Sequence, residues 1–279
     1  MSARYVIVDV FAREPLTGNG LAVFPDASSV DPERMQRIAR EMNLSETTFV
    51  HRVEGDSYDV RIFTPTEELP FAGHPTLGTA WTLRHLGLLN GDRVTQRSAA
   101  GETPVTFEGS RVWLERGGES GYDLPDIGET LDVLDIGAGS VGFDASRLGA
   151  TPGALRPAIA NAGIPQLMLP LSEPSTVAAL RSPASLGEVE GVYCFAPIGL
   201  GRVKARFFAP DFGVIEDPGT GSAAAGLGLY LGARVGAIEI EIEQGAEISR
   251  PSFLSVRAEP SVVRVGGEVH LACEGTLVA

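Results

Sequence analysis

Three segments place side chains capable of proton chemistry beside glycines or hydroxyls. Glu46 stands in Asn43–Val50, NLSETTFV, a carboxylate in an otherwise apolar and hydroxyl-rich run. Burial of such a group in a closed cleft penalises its charged form and raises its pKa, which makes it a competent proton shuttle near neutral pH. His74 lies between Gly73 and Pro75 in Phe71–Gly87, FAGHPTLGTAWTLRHLG, and Asp217 and Ser222 lie in Glu216–Gly232, EDPGTGSAAAGLGLYLG. Read alone, each has a plainer alternative: a surface or capping carboxylate for Glu46, a structural imidazole for His74, helix capping for Asp217 and Ser222. Asp217 sits just ahead of a helix start, where the dipole and free N–H groups favour the ionised form, so it suits orienting a cation or His74 better than donating a proton.

The two glycine segments share a design. Each is a polar loop that runs through glycines into an apolar helix, leaving the first backbone N–H groups of the helix unpaired and aimed at the loop. Gly73, Gly219 and Gly221 let those amides approach a carboxylate or a developing enolate, at about 3 kcal/mol per well-placed donor in a dry site. Neither stretch carries the lysine of a phosphate-binding P-loop or a full GxGxxG context. No second histidine or cysteine stands at ligand spacing from His74, so no metal is expected.

The elements that must position these groups repeat. Ser45–Pro65 aligns without a gap on Glu190–Pro210, placing Arg61, Phe63 and Pro65 on Arg206, Phe208 and Pro210, each copy reading as strand, turn, strand. The recurrence of Arg61 and Arg206 favours a structural role for both. Glu46 falls on Gly191, so duplication does not account for it. Upstream, Tyr5–Phe11 reads as a buried strand, and PLTGNG leads into the strand Leu21–Phe24; Gly18 and Asn19 of that turn either serve its backbone or reach the site. Asp31-Pro32 opens a helix with Met35, Ile38, Ala39 and Met42 on one face. Strands follow over Val94–Glu115, and Gly117–Asp126 is read as a turn-rich crossing between domains. Pro157–Leu171 reads as strand, turn, strand, Ser175–Arg181 as a short helix, Ile238–Glu243 as a half-exposed strand and Ser261–Ala279 as a two-strand hairpin.

Composition sets the bounds. At 279 residues and 43% hydrophobic the chain can bury a large core, and a net charge of −14 with a single lysine, Lys204, argues against a nucleic-acid partner. The apolar run at the N-terminus is too short for a signal segment or membrane span, so a cytoplasmic protein without membrane partners is expected. Cys194 and Cys273 are expected as small buried hydrophobes. Trp81 and Trp113 are expected in the core.

VDVFAREPLTGNGLAVF, MQRIAREMNLSETTFV, VRIFTPTEELPFAGHPTLGTAW, RFFAPDFGVIEDPGTGSAAAGLGLYL and QGAEISRPSFLSV together closely resemble the phenazine-biosynthesis PhzF family, nearly end to end and in the family's order. The resemblance implies an α+β fold of two pseudo-symmetric domains, each a β-barrel-like sheet around a central helix, as in diaminopimelate epimerase. Domains of residues 1–118 and 119–265 are expected, with the strand 266–279 returning to the first and the active site in the cleft between them. It further implies a homodimer, a small carboxylate substrate and no cofactor. It makes Glu46 the catalytic acid/base, His74 and Asp217 its catalytic partners, and Gly73, Gly219, Gly221, Ser222, Gly18 and Asn19 the substrate-binding set. The epimerase relatives use one thiol on each glycine loop, whereas neither loop here contains cysteine. A one-carboxylate proton and double-bond shift is therefore expected, as in the family's isomerisation of trans-2,3-dihydro-3-hydroxyanthranilate. A racemase, a lyase on the same carboxylate and a non-catalytic binding protein are the alternatives.

Overall fold

The computed structural model describes residues 2–124, 126–187 and 189–278. They group into two compact units, one running to Glu115 and resuming at Gly266, the other spanning Arg116–Val265.

In the first unit the strands are β1 (Ser2–Val10), β2 (Asn19–Phe24), β3 (Glu46–Glu54), β4 (Ser57–Phe63), a two-residue β5 (Glu68–Leu69), β6 (Arg93–Ser98), β7 (Gly101–Glu108) and β8 (Arg111–Gly117). β1 pairs antiparallel with β2, β2 parallel with β3, β3 antiparallel with β4, β4 parallel with β6, and β6 and β7 continue antiparallel to β8. A long strand, Val262–Val278, pairs with both β8 and β1 and closes the ring. Helix α1 (Pro32–Met42) covers the outside, its start capped by the Asp31 carboxylate on the Glu33 amide and its end turned by Asn43 in the left-handed region. Phe24, Phe49 and Phe63 join Met35, Ile38 and Ala39 beneath it. Helix α2 (Gly73–His85) fills the ring and is buried on nearly every side. A helix packed all round must be apolar and locally small: a Cβ at Gly78 would lie 2.6 Å from Leu21 Cδ2.

The second unit repeats the scheme. Its strands are β9 (Glu119–Asp123), the short pair β10 (Phe143–Asp144) and β11 (Ala154–Leu155), β12 (Ala158–Asn161), β13 (Pro165–Pro170), β14 (Val192–Gly199), β15 (Arg202–Ala209), β16 (Val214–Asp217), β17 (Ile238–Gln244) and β18 (Ser252–Ala258), before Val262–Val278, which is β19. The sequence β12 antiparallel to β13, β13 parallel to β14, β14 antiparallel to β15 and β15 parallel to β17 matches β1 through β6 step by step. Short helices α3 (Gly128–Val133) and α4 (Pro174–Ala179) cover one face, where Leu131 and Val177 join Leu167, Leu169, Cys194 and Phe208. Helix α5 (Gly221–Val235) is buried on the other, and a Cβ at its Gly228 would meet Val263 Cγ2 at 2.4 Å.

The repeated arginines behave as one device used twice. Arg61 grips Glu68 with two hydrogen bonds of 2.7 and 2.6 Å, and its guanidinium lies 5.0 Å from the Phe63 ring centroid. Arg206 grips Glu216 at 2.8 and 2.7 Å and lies 5.0 Å from the Phe208 centroid. Each also reaches the helix that covers its sheet, Arg61 at the Met35 sulfur and Arg206 at the Leu180 carbonyl that ends α4.

Several expectations are corrected. The tail is one continuous strand, β19, and not a hairpin. Its Gly266 makes no turn but admits the Trp113 ring, whose Cδ2 would stand 2.4 Å from an added Cβ. The crossing expected at Gly117–Asp126 contains β9, paired with β12. Cys194 is buried as expected, whereas Cys273 is exposed. Trp113 is core, but Trp81 is only partly buried and stacks on His85 with ring centroids 4.8 Å apart.

The two arginine pairs differ in burial, and their variants should differ accordingly. Arg206 and Glu216 side chains are 5% and 4% exposed, against 34% and 38% for Arg61 and Glu68. Arg206→Ala, which strands a buried carboxylate, should cost about 3–5 kcal/mol, and Arg61→Ala about 1 kcal/mol or less. Denaturant unfolding of both variants checks this; equal losses would refute it.

Candidate active site

Register decides which way Glu46 points. It opens β3 beside Leu21 of β2, and successive strand residues alternate faces. Leu21 faces α2 at Gly78, and Thr48, on the same face as Glu46, hydrogen-bonds Thr79 of α2 at 2.9 Å between hydroxyls. Glu46 is thereby directed at the first turn of α2, where its Oε2 lies 3.4 Å from His74 Nε2. Its duplicate position, Gly191, is kept small by Phe207, whose Cζ would stand 2.8 Å from an added Cβ.

His74 is 5% exposed. Desolvation pulls its pKa down to about 3 and a hydrogen bond to the Gly20 backbone opposes this only partly, so the ring is neutral at physiological pH. A neutral imidazole presents one N–H and one lone pair. Nδ1 lies 3.3 Å from the carboxamide nitrogen of Asn19, which leaves Nε2 as the edge facing Glu46. Asn19 and its turn are held by Asp9, whose carboxylate accepts the Leu16 amide at 2.6 Å. Gly18 serves the turn itself: φ is +67° and a Cβ would stand 2.4 Å from the Val10 carbonyl. Of the expected residues in the first unit, Glu46, His74, Gly73 and Asn19 converge; Gly18 acts through the backbone.

α2 starts without a side-chain cap. Its first intrahelical bond is Thr76 N–H to Ala72 O, so the buried amides of Gly73 and His74 precede it, and Pro75 contributes no N–H.

In the second unit Asp217 ends β16 and accepts a 2.6 Å hydrogen bond from the Thr220 hydroxyl. Gln244 of β17 locks this loop with both ends of its carboxamide. Its nitrogen donates to Asp217 O at 2.8 Å and to Thr220 Oγ1 at 2.9 Å, while its oxygen accepts from the buried Tyr193 hydroxyl at 2.9 Å and from Thr220 N–H at 3.4 Å. Burial, with the Asp217 charge nearby, drives the Tyr193 pKa far up, so it remains a donor. Ser222 does not cap α5; its hydroxyl lies 3.3 Å from Gln166 Nε2. Gly219 and Gly221 are buried at the mouth of α5. Thr220, Gln244, Tyr193 and Gln166 were not singled out from sequence. The QG beginning QGAEISRPS was the available signal for Gln244, and the others carried none.

A sheet wrapped on a helix with a buried, uncapped start, built twice in one chain, defines the α+β class to which the epimerases belong. A hydroxyproline epimerase from Agrobacterium vitis superposes with a TM-score of 0.60 at 10% identity, over 99% of this chain and 92% of that one. A PhzF-family phenazine biosynthesis protein from Bacillus anthracis superposes with a TM-score of 0.86 at 23% identity over the whole of both chains. The family model of the phenazine biosynthesis-like proteins, PhzC-PhzF, matches residues 8–278, and the chain belongs to that family. It is 40% identical over 292 aligned positions to the trans-2,3-dihydro-3-hydroxyanthranilate isomerase of Pseudomonas fluorescens, covering 98% of this chain and 99% of that protein. The chain is an isomerase.

The depressed pKa of His74 has a signed consequence. Between the unfolded value near 6.5 and the folded value of about 3 the unfolded chain binds a proton that the folded chain refuses. His74 therefore contributes a loss of stability as pH falls through that window, at up to about 1.4 kcal/mol per pH unit, and none above it. In NMR titration its ring resonances should stay fixed from pH 8 to 5; a midpoint near 6.5 would contradict the buried neutral ring.

Proposed function

We propose that the chain moves a proton and a double bond within a small unsaturated carboxylate, with Glu46 as the acid/base. The observation that carries this reading is the Glu46–His74 approach of 3.4 Å at the uncapped start of α2. A Glu46 oxygen takes a proton from an sp³ carbon of the substrate as that C–H bond breaks. The released electron pair delocalises through the adjacent double bond toward an electron-withdrawing group. The same oxygen returns the proton to a second carbon, so atoms and charge balance without an added oxidant or reductant. Neutral His74, held by Asn19, presents its Nε2 edge to the Glu46 carboxylate and fixes the space in which that carboxylate moves. The amides of Gly73 and His74 supply dipoles for charge that develops during the transfer.

The Pseudomonas fluorescens relative is named for trans-2,3-dihydro-3-hydroxyanthranilate, which makes that compound the first candidate substrate. The lack of cysteine in either glycine loop disfavours a two-thiol epimerisation.

Proton NMR in D₂O with trans-2,3-dihydro-3-hydroxyanthranilate and a panel of unsaturated amino acids tests the proposal. Wild type should move a double bond and deuterate a defined carbon. Glu46→Gln should lower kcat by about 10²–10⁴-fold with substrate binding changed only severalfold. Turnover that survives the substitution would remove Glu46 from the mechanism, and deuteration at one carbon with scrambled configuration would replace isomerisation by epimerisation.

A further inference from the structure

The parallel pairs at the start of the two repeats carry opposite polarity. In the first unit Leu21 of β2 stands beside Glu46 of β3. In the second, β13 and β14 pair Leu167 with Val192, and the preceding positions are Gln166 and Gly191. A polar side chain thus occupies the place of a leucine, and a glycine the place of the carboxylate. Alternation puts Gln166 on the α5 side of β13, together with Met168, whose Cε would stand 3.0 Å from a Cβ at Gly226.

Gln166 is 3% exposed. Its Nε2 meets Ser222 Oγ at 3.3 Å in the first turn of α5, and its Oε1 has no hydrogen-bonding partner among the described residues. A buried carbonyl left unmatched costs about 1–3 kcal/mol, and the leucine at the equivalent position in the first unit avoids that cost. The same turn holds further unmet groups. The first intrahelical bond of α5 is Ala224 N–H to Thr220 O, so the amides of Gly221, Ser222 and Ala223 precede it, and among the described residues the N-cap Thr220 gives them no side-chain cap. Gly221 and Ala223 are buried. Three donors and one acceptor therefore converge on a patch that has few protein partners for them.

We propose that Gln166 is a specificity-determining residue, whose Oε1 accepts a hydrogen bond from an amino or hydroxyl group adjacent to a ligand carboxylate held at the first turn of α5. The inference rests on the isomerase reading only in taking the ligand to be a small carboxylate. It narrows the substrate class to carboxylates with a neighbouring N–H or O–H donor. A site built to hydrogen-bond such a donor rejects the analogue lacking it, because the buried acceptor is then left unpaired.

Binding of inert probes tests this without turnover, so its failure is separable from that of the proton-shift mechanism. By calorimetry or ligand-detected NMR, wild type should bind 2-aminobenzoate about tenfold or more tightly than benzoate. Gln166→Leu, which restores the side chain of the other repeat, should bring the ratio to about one, and Gln166→Glu, which keeps an acceptor oxygen, should retain a preference for the amino compound. The wild-type ratio stands whether or not either variant folds. A wild-type ratio near one, no binding of either probe, or a preference that persists in folded Gln166→Leu overturns the proposal.

Discussion

A helix that begins inside a protein must find partners for its first amides. α1 begins at the surface and is served by Asp31, whereas α2 and α5 begin buried and have no side-chain cap. The rest of each unit answers to that condition. The sheet must wrap closely enough to exclude water from the helix, which explains the small residues at Gly78 and Gly228. The loop entering each helix must also be rigid, because amides that wander offer no fixed field to a ligand. Asn19 and the Asp9-anchored turn supply that rigidity at α2, and Gln244 with Thr220 and Tyr193 supplies it at α5.

The repeats keep their scaffold and vary what they present. Arg61 and Arg206 make the same contacts in both copies, with a carboxylate, a phenyl ring and a covering helix. The positions that face the central helices have diverged: Leu21 and Glu46 in one copy, Gln166 and Gly191 in the other. Duplication preserves the groups that hold the sheet together and frees those at the mouth of the helix. Phe207 fills the space that a side chain at Gly191 would need, so the carboxylate could not be regained there without repacking.

Much of this was legible in the sequence because it is local. Asp31-Pro32 and Asn43 announce both ends of α1, and the alternation IEIEIE announces β17. The glycine-to-apolar transitions mark α2 and α5, and the matched arginines mark the repeat. The tail departs from the expected hairpin because its paired glycines, which normally signal a turn, serve another purpose. Here Gly266 is small to admit Trp113, a requirement set by a residue far away in sequence. Gln166 and Gln244 are silent in the sequence for a related reason. A glutamine carries no chemical signature, and its meaning arises from long-range pairing that brings it against a helix start. Burial of Cys194 and exposure of Cys273 likewise separate two similar apolar contexts only once the strands are paired.

The pairing of β1 with β19 sets the order in which this chain can fold. Ser2 lies opposite Val278, and β19 also supplies the neighbour of β8. During synthesis β1 and β8 therefore emerge with open edges and keep them while the whole of the second unit is made. Contacts between such distant segments are slow to form, and unpaired strand edges invite association with other chains. The second unit, continuous from Arg116 to Val265, faces no such delay. On the ribosome the domain encoded second is positioned to complete first, and the first unit must wait for its closing strand.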